Sequence, residues 1–73
     1  MEQTATTARP TLIGLGRPAL MERLAAIGVP ERQRRMRARQ LWRWLYQRGA
    51  AGFAEMTDIS KALRADLARA FDI

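Results

Sequence analysis

Cysteine and histidine are both absent from this 73-residue chain. Without cysteine there is no disulfide, no iron–sulfur cluster and no thiolate zinc site; without histidine the commonest metal ligand and general base is missing as well. Catalysis by these residues alone is therefore not expected. Long apolar runs are lacking too. None approaches the ~20 residues of a membrane span, and residues 1–11 (MEQTATTARPT) have no apolar core of the kind a secretory signal needs. The expectation is a cytoplasmic protein with no membrane partner. Lysine is nearly absent, Lys61 standing alone beside twelve arginines. That ratio suits bidentate phosphate contact, but a codon bias toward arginine would produce the same count.

What the chain does have is concentrated. Residues 32–48 contain seven arginines, no acid, both tryptophans and the single tyrosine. The net charge of +6 is thus +7 in those seventeen residues and −1 elsewhere. A helix dense in arginine with aromatic rings interleaved can neutralise phosphates and offer π-faces to bases. The plainer reading is a solvated helix face. Against it stands the lack of any acid inside the run, because a merely solvated helix usually carries intrahelical Glu–Arg pairs.

The apolar spacing describes an all-α, three-helix domain. Residues 1–11 are polar and interrupted by Pro10, with little apolar surface to offset the entropy of ordering, and read as a disordered tail. The domain then covers residues 12–73. Pro18 suits a first helical turn, and Leu20, Leu24 and Ile27 recur at helical spacing with Met21 at the flank, giving a first helix over residues 18–27 stopped by Gly28 and Pro30. A second helix runs from Glu31 to about Arg48 and is closed by Gly49. At about 100° per residue, Ala38, Leu41, Trp42, Leu45 and Tyr46 share its apolar face. Arg39, Gln40, Arg43 and Gln47 lie opposite, and Trp44 falls between, beside Arg37 and Arg48. Trp42 reads as core and Trp44 as the exposed ring. Phe53 and Met56, three apart, can plug the core from a single turn. Ser60 is a good N-cap for a last helix whose buried side is Leu63, Leu67, Ala70 and Phe71. A domain of this length buries only ~60% of its unfolded surface, so this small core is marginal.

These residues also carry a resemblance. The segment 12–15 (LIGL), the run Arg37-Ala38-Arg39-Gln40-Leu41-Trp42-Arg43-Trp44-Leu45-Tyr46-Gln47-Arg48-Gly49, and the later run from Phe53 through Met56-Thr57-Asp58-Ile59-Ser60-Lys61 to Arg64 resemble the N-terminal accessory domain of the RlmN family. The paired motifs are R-A-x-Q-x-x-x-W-x-Y and F-x-x-M-T-[DN]-[IL]-[SN]-K-x-L-R; the related antibiotic-resistance enzyme Cfr shares much of the plan. The likeness covers residues 12–73. Two departures are visible: residues 29–36 (VPERQRRM) read longer than the usual link, and Met36 stands where an aromatic residue is usual.

The resemblance implies a helix-hairpin-helix-like accessory domain of a radical S-adenosylmethionine methyltransferase that modifies C2 of an adenosine in 23S rRNA and tRNA. It implies a [4Fe–4S] cluster and S-adenosylmethionine in a catalytic barrel beyond residue 73, and the cysteines that would hold the cluster are absent from this chain. The partners it implies are 23S rRNA, tRNA and the protein's own C-terminal catalytic domain; the apolar stripes, which suffice for one shared core and leave no long exposed hydrophobic face, predict a monomer. No catalytic residue is carried over. The candidate nucleic-acid contacts are Arg34, Arg35, Arg39 and Arg43 on phosphates, with Arg37, Arg48 and Trp44 along the edge. Two other readings stay open. One is a stand-alone DNA-binding helix-turn-helix protein, disfavoured because only Gln40 and Gln47 vary an otherwise arginine reading face. The other is a docking module whose basic helix lies against an acidic face of its own catalytic domain.

Overall fold

A computed structural model describes residues 9–73. The expected tail falls partly on residues 1–8, which lie outside the described residues.

Three α-helices frame the described residues: α1 (Arg17–Ala26), α2 (Glu31–Trp42) and α3 (Lys61–Ala70). Pro18 occupies the first turn of α1, where a missing N–H goes unnoticed, and Leu20 and Leu24 turn inward. The end of α1 is a Schellman motif. Gly28 takes φ +92, its N–H donates to Ala25 O, and Val29 N–H donates to Leu24 O at 3.0 Å. Val29 and Leu24 are both buried, which supplies the apolar contact that accompanies this motif. Pro30 comes next as the N-cap of α2, so the helix begins at Glu31. The stretch that reads in sequence as a long link is therefore mostly the first two turns of α2.

The second helix is not the uniform α-helix that its spacing predicts. After Trp42 it widens into a π-helical turn, Arg43–Gln47, in which Arg48 N–H donates to Arg43 O at 2.9 Å. Gly49, at φ +63, then lets Ala50 N–H reach back to Trp44 O. A π turn advances less per residue than an α turn, so a wheel drawn at a constant angle misplaces the residues beyond Trp42. Leu45 stays buried, but Tyr46, expected on the apolar face, is 39% exposed.

The single turn expected around Phe53 and Met56 is a 3₁₀ turn, Phe53–Glu55, and both plugs are buried. Ser60 caps α3 as expected, its hydroxyl accepting Leu63 N–H at 3.2 Å. On α3, Leu67 and the succeeding Phe71 are buried, while Leu63 and Ala70 pack half-buried against the core. The core draws Leu12, Leu20, Leu24, Leu41, Met56, Ile59 and Leu67 from all three α-helices and the turns beside them, each almost fully enclosed, and among the described residues no polar one is buried with them.

The boundary expected between residues 11 and 12 needs correction. Leu12 N–H donates to Asp72 O and Asp72 N–H to Pro10 O, both at 2.9 Å, and Arg9 pairs with the Asp72 carboxylate at 3.0 Å. Thr11 and Asp72 thereby form an isolated parallel bridge. Pro10 and Thr11 belong to the fold because the returning end of the chain supplies their backbone partners. Among the described residues there is no named strand.

Candidate nucleic-acid interface

The basic run does not act as one surface. Arg35, Arg39 and Arg43 succeed one another at four-residue intervals along α2 and into the π turn, and all three are exposed. Residues four apart on a helix are neighbours, so these guanidinium groups form a continuous ridge. Arg32, also exposed, extends it toward the start of α2. None of them forms an ion pair with an acid among the described residues, where the ion pairs are Arg9–Asp72 and Arg69–Asp66. Like charges held this close repel one another and attract a polyanion.

The other expected contacts have different surroundings. Arg34 is half-buried, its Nε donating to Val29 O at 2.8 Å, so it fastens the α1–α2 corner. Arg37 is half-buried and donates from Nη1 to Gln40 Oε1 at 2.9 Å, while its own Nε is buried without a partner. Arg48 lies over the Trp44 ring, its Cζ 4.5 Å from the centroid. Trp44, expected to be the exposed ring, is half-buried and donates from Nε1 to Asp58 Oδ1 at 2.8 Å. One of its faces carries Arg48 and its only donor is committed, so it is not a free platform for a base. Trp42 is half-buried rather than fully enclosed, with the Tyr46 ring tilted against it at 5.5 Å.

One cationic residue of this surface lies outside the basic run. The corner between α1 and α2 is four residues long, 27–30, and a connection this short makes the two helices antiparallel neighbours. The first turn of α1 therefore lies beside the last turns of α2. Arg17 is brought over the Trp42 ring, its Cζ 5.1 Å from the centroid, and lines a cleft of about 480 Å³ with Arg35 and Arg39. The hairpin geometry is the signal that could have found it, since residues equidistant from the corner face each other. Counting charge by segment conceals it, because residues 1–31 sum to zero.

The turn motifs are tied to the ridge helix from its other sides. Gln40 Nε2 donates to Asp58 O at 3.3 Å, so Gln40 and Trp44 both hold the 57–59 turn. The Tyr46 hydroxyl accepts Gly14 N–H at 2.7 Å and donates to Leu15 O at 3.0 Å, holding the 12–15 turn.

Fold and ridge together define a small all-α domain with one cationic helix face. Residues 11–73 match the family described as "Ribosomal RNA large subunit methyltransferase N-terminal domain", and the chain belongs to it. A protein of Rhodopseudomonas palustris (strain BisA53) named "Dual-specificity RNA methyltransferase RlmN" is 59% identical over 73 residues, covering 100% of this chain and 18% of that protein. Identically named proteins of Nitrobacter winogradskyi and Methylobacterium sp. (strain 4-46) are 63% identical over 60 residues and 56% over 72. These alignments cover 82% and 99% of this chain and 15% and 17% of those relatives. The chain thus spans less than a fifth of the length of these relatives, as their N-terminal part. No solved structure matches. Among the described residues no helix is long and apolar enough to cross a membrane.

Proposed function

We propose that this chain is the substrate-engaging N-terminal domain of an RlmN-type RNA methyltransferase, one that methylates C2 of adenosine in 23S rRNA and tRNA. Its task is to hold RNA by the phosphate backbone while a separate catalytic domain acts. The observation that carries this reading is the exposed row Arg35, Arg39 and Arg43, with no acid paired to it among the described residues. Phosphate contact of this kind positions an RNA without reading its sequence, which suits an enzyme that accepts two kinds of RNA.

The donor set of this chain does not fit the [4Fe–4S] cluster of radical S-adenosylmethionine enzymes. There is no thiolate, and among the described residues no three His, Cys, Asp or Glu side chains converge. No step of the chemistry is assigned to these residues. Their part is binding and orientation, which serves catalysis by raising the local concentration of the correct RNA face.

The test is equilibrium binding of single-stranded RNA at several salt concentrations. About four phosphate contacts, each releasing ~0.7 counterions, give a log–log slope near −3. Replacing Arg39 and Arg43 together by Glu should flatten the slope and weaken binding while leaving helical circular dichroism intact, since both are exposed. Unchanged affinity in the folded double variant would overturn the reading; capture of the enzyme's own catalytic part in place of RNA would leave a docking module.

A further inference from the structure

The cleft between α1 and α2 combines two properties that a simple phosphate ridge does not need. Three guanidinium groups, Arg17, Arg35 and Arg39, come from two different helices to line it, and no acid does. The rest of the lining is apolar: Pro18 at the edge, half-buried Met21, and Ala38, which is buried at 1% exposure and forms the floor. An inorganic anion gains nothing from a methionine and an alanine. A nucleobase does, because its face is apolar and its neighbouring phosphates are not. The volume of about 480 Å³ falls within the ~300–1,000 Å³ typical of small-ligand sites. Arg17 is also restrained, its guanidinium held over Trp42 at 5.1 Å, so less side-chain freedom is lost when it meets a phosphate. Arginine planes and apolar side chains are the usual partners of unstacked bases in single-stranded RNA.

We infer that this cleft takes one unstacked nucleotide of single-stranded RNA, its base against Met21 and Ala38 and its flanking phosphates among Arg17, Arg35 and Arg39. The inference rests on the RNA-binding reading and goes past it, assigning a residue outside the basic run and a place for a base. It also gives direction to the bound strand. RNA in the cleft lies on the α1 side of Arg39, whereas a second groove, which shares Arg39, is lined by Met36, Gln40, Arg43 and Asp58.

The four methionines supply the experiment. Met21 reports the cleft, exposed Met36 the second groove, and buried Met56 the core, with Met1 as the remaining signal. The 73-residue chain, labelled with ¹³C at the methionine methyls, is titrated with a single-stranded oligoribonucleotide and, separately, with inorganic phosphate. The expected result is an upfield ring-current shift of the Met21 methyl with RNA, no such shift with phosphate, and an unmoved Met56. Arg17→Gln should abolish that shift and lower the salt slope by about 0.7, the share of one phosphate contact. A steep salt slope with a silent Met21, and no effect of Arg17→Gln, overturns the cleft while leaving the ridge in place. A shift of Met36 in place of Met21 overturns it by putting the strand in the second groove. The same Met21 shift with phosphate alone overturns the base and leaves an anion site. Absence of RNA binding by the wild-type chain removes the underlying reading, and the cleft with it.

Discussion

The hydroxyl of Tyr46 accepts the backbone N–H of Gly14 at 2.7 Å, thirty-two residues earlier in the chain. Gly14 takes φ +95 inside the 12–15 turn, closed by Leu15 N–H on Leu12 O at 3.2 Å, and the same hydroxyl donates to Leu15 O. The turn that opens the domain is therefore fastened to the end of the ridge helix by one phenol. Tyr46→Phe removes that fastening and little else. Because Tyr46 is 39% exposed, water replaces part of what is lost, and the expected destabilisation is about 1 kcal/mol in urea unfolding. Protection of the Gly14 amide from hydrogen exchange should fall with it; a Phe variant with unchanged Gly14 protection would contradict the account.

A second fastening joins Trp44 to Asp58. The indole N–H donates to the carboxylate at 2.8 Å while Gln40 holds the carbonyl of the same residue. Trp44→Phe and Asp58→Ala should each destabilise the domain. In a double-mutant cycle the two effects should fall short of additive by about 0.5–1.5 kcal/mol, the net worth of one hydrogen bond to a partly exposed charged acceptor. Fully additive losses would show that the bond contributes nothing.

Core truncation separates the two helix-two residues that spacing alone makes equivalent. Leu45 is buried and Trp42 only half-buried. Leu45→Ala should cost about 2–5 kcal/mol, against a total of about 4–11 kcal/mol for a domain this size. Trp42→Ala should cost less, because solvent already reaches its ring and Arg17 covers it from outside. Thermal melts of the two variants give the order directly.

Capping offers an independent check on α3. Ser60→Ala loses the hydroxyl that accepts Leu63 N–H and should destabilise by ~1 kcal/mol, whereas Ser60→Gly should cost only a few tenths. A Ser60→Ala variant as stable as the wild type would mean that the hydroxyl does not cap.

Much of this is legible from the sequence because local rules and burial agree. Gly28 and Pro30 punctuate α1, Ser60 opens α3, and Phe53 with Met56 fill the gap as their spacing suggests. The exceptions have physical causes. The π turn at Arg43–Gln47 breaks the constant angle that puts Tyr46 in the core. Thr11 reads as tail because its partner, Asp72, is sixty-one residues away and pairs through backbone groups that composition does not report. At the candidate site, charge counting finds the ridge but does not sort it. Arg34 and Arg37 are drawn into the scaffold by Val29 O and Gln40 Oε1, and Arg17 enters from the other helix. The motif R-A-x-Q-x-x-x-W-x-Y divides along the same line. Arg37, Gln40, Trp44 and Tyr46 tie the helix to itself or to neighbouring turns, while the ridge residues Arg39 and Arg43 stand at positions the motif leaves unspecified.

On the proposed function, that division gives a kinetic prediction for the full-length protein. If the motif positions build the scaffold and Arg39 and Arg43 meet RNA, changes at the two classes should fail differently. Arg39→Glu with Arg43→Glu keeps the fold but removes contacts made equally with bound RNA and with the transition state. It should therefore raise the apparent KM for RNA by more than it lowers kcat. Raising salt should mimic the double change in the wild type and have less effect on the variant, because the contacts that salt screens are already gone. Trp44→Ala disturbs the turn at Asp58 and leaves the ridge arginines in place, so it should lower thermal stability first and affect KM only through the folded fraction. Steady-state kinetics at two salt concentrations, beside a melt of each variant, distinguish the two patterns. A charge-reversed enzyme with wild-type KM at low salt would remove the ridge from substrate binding.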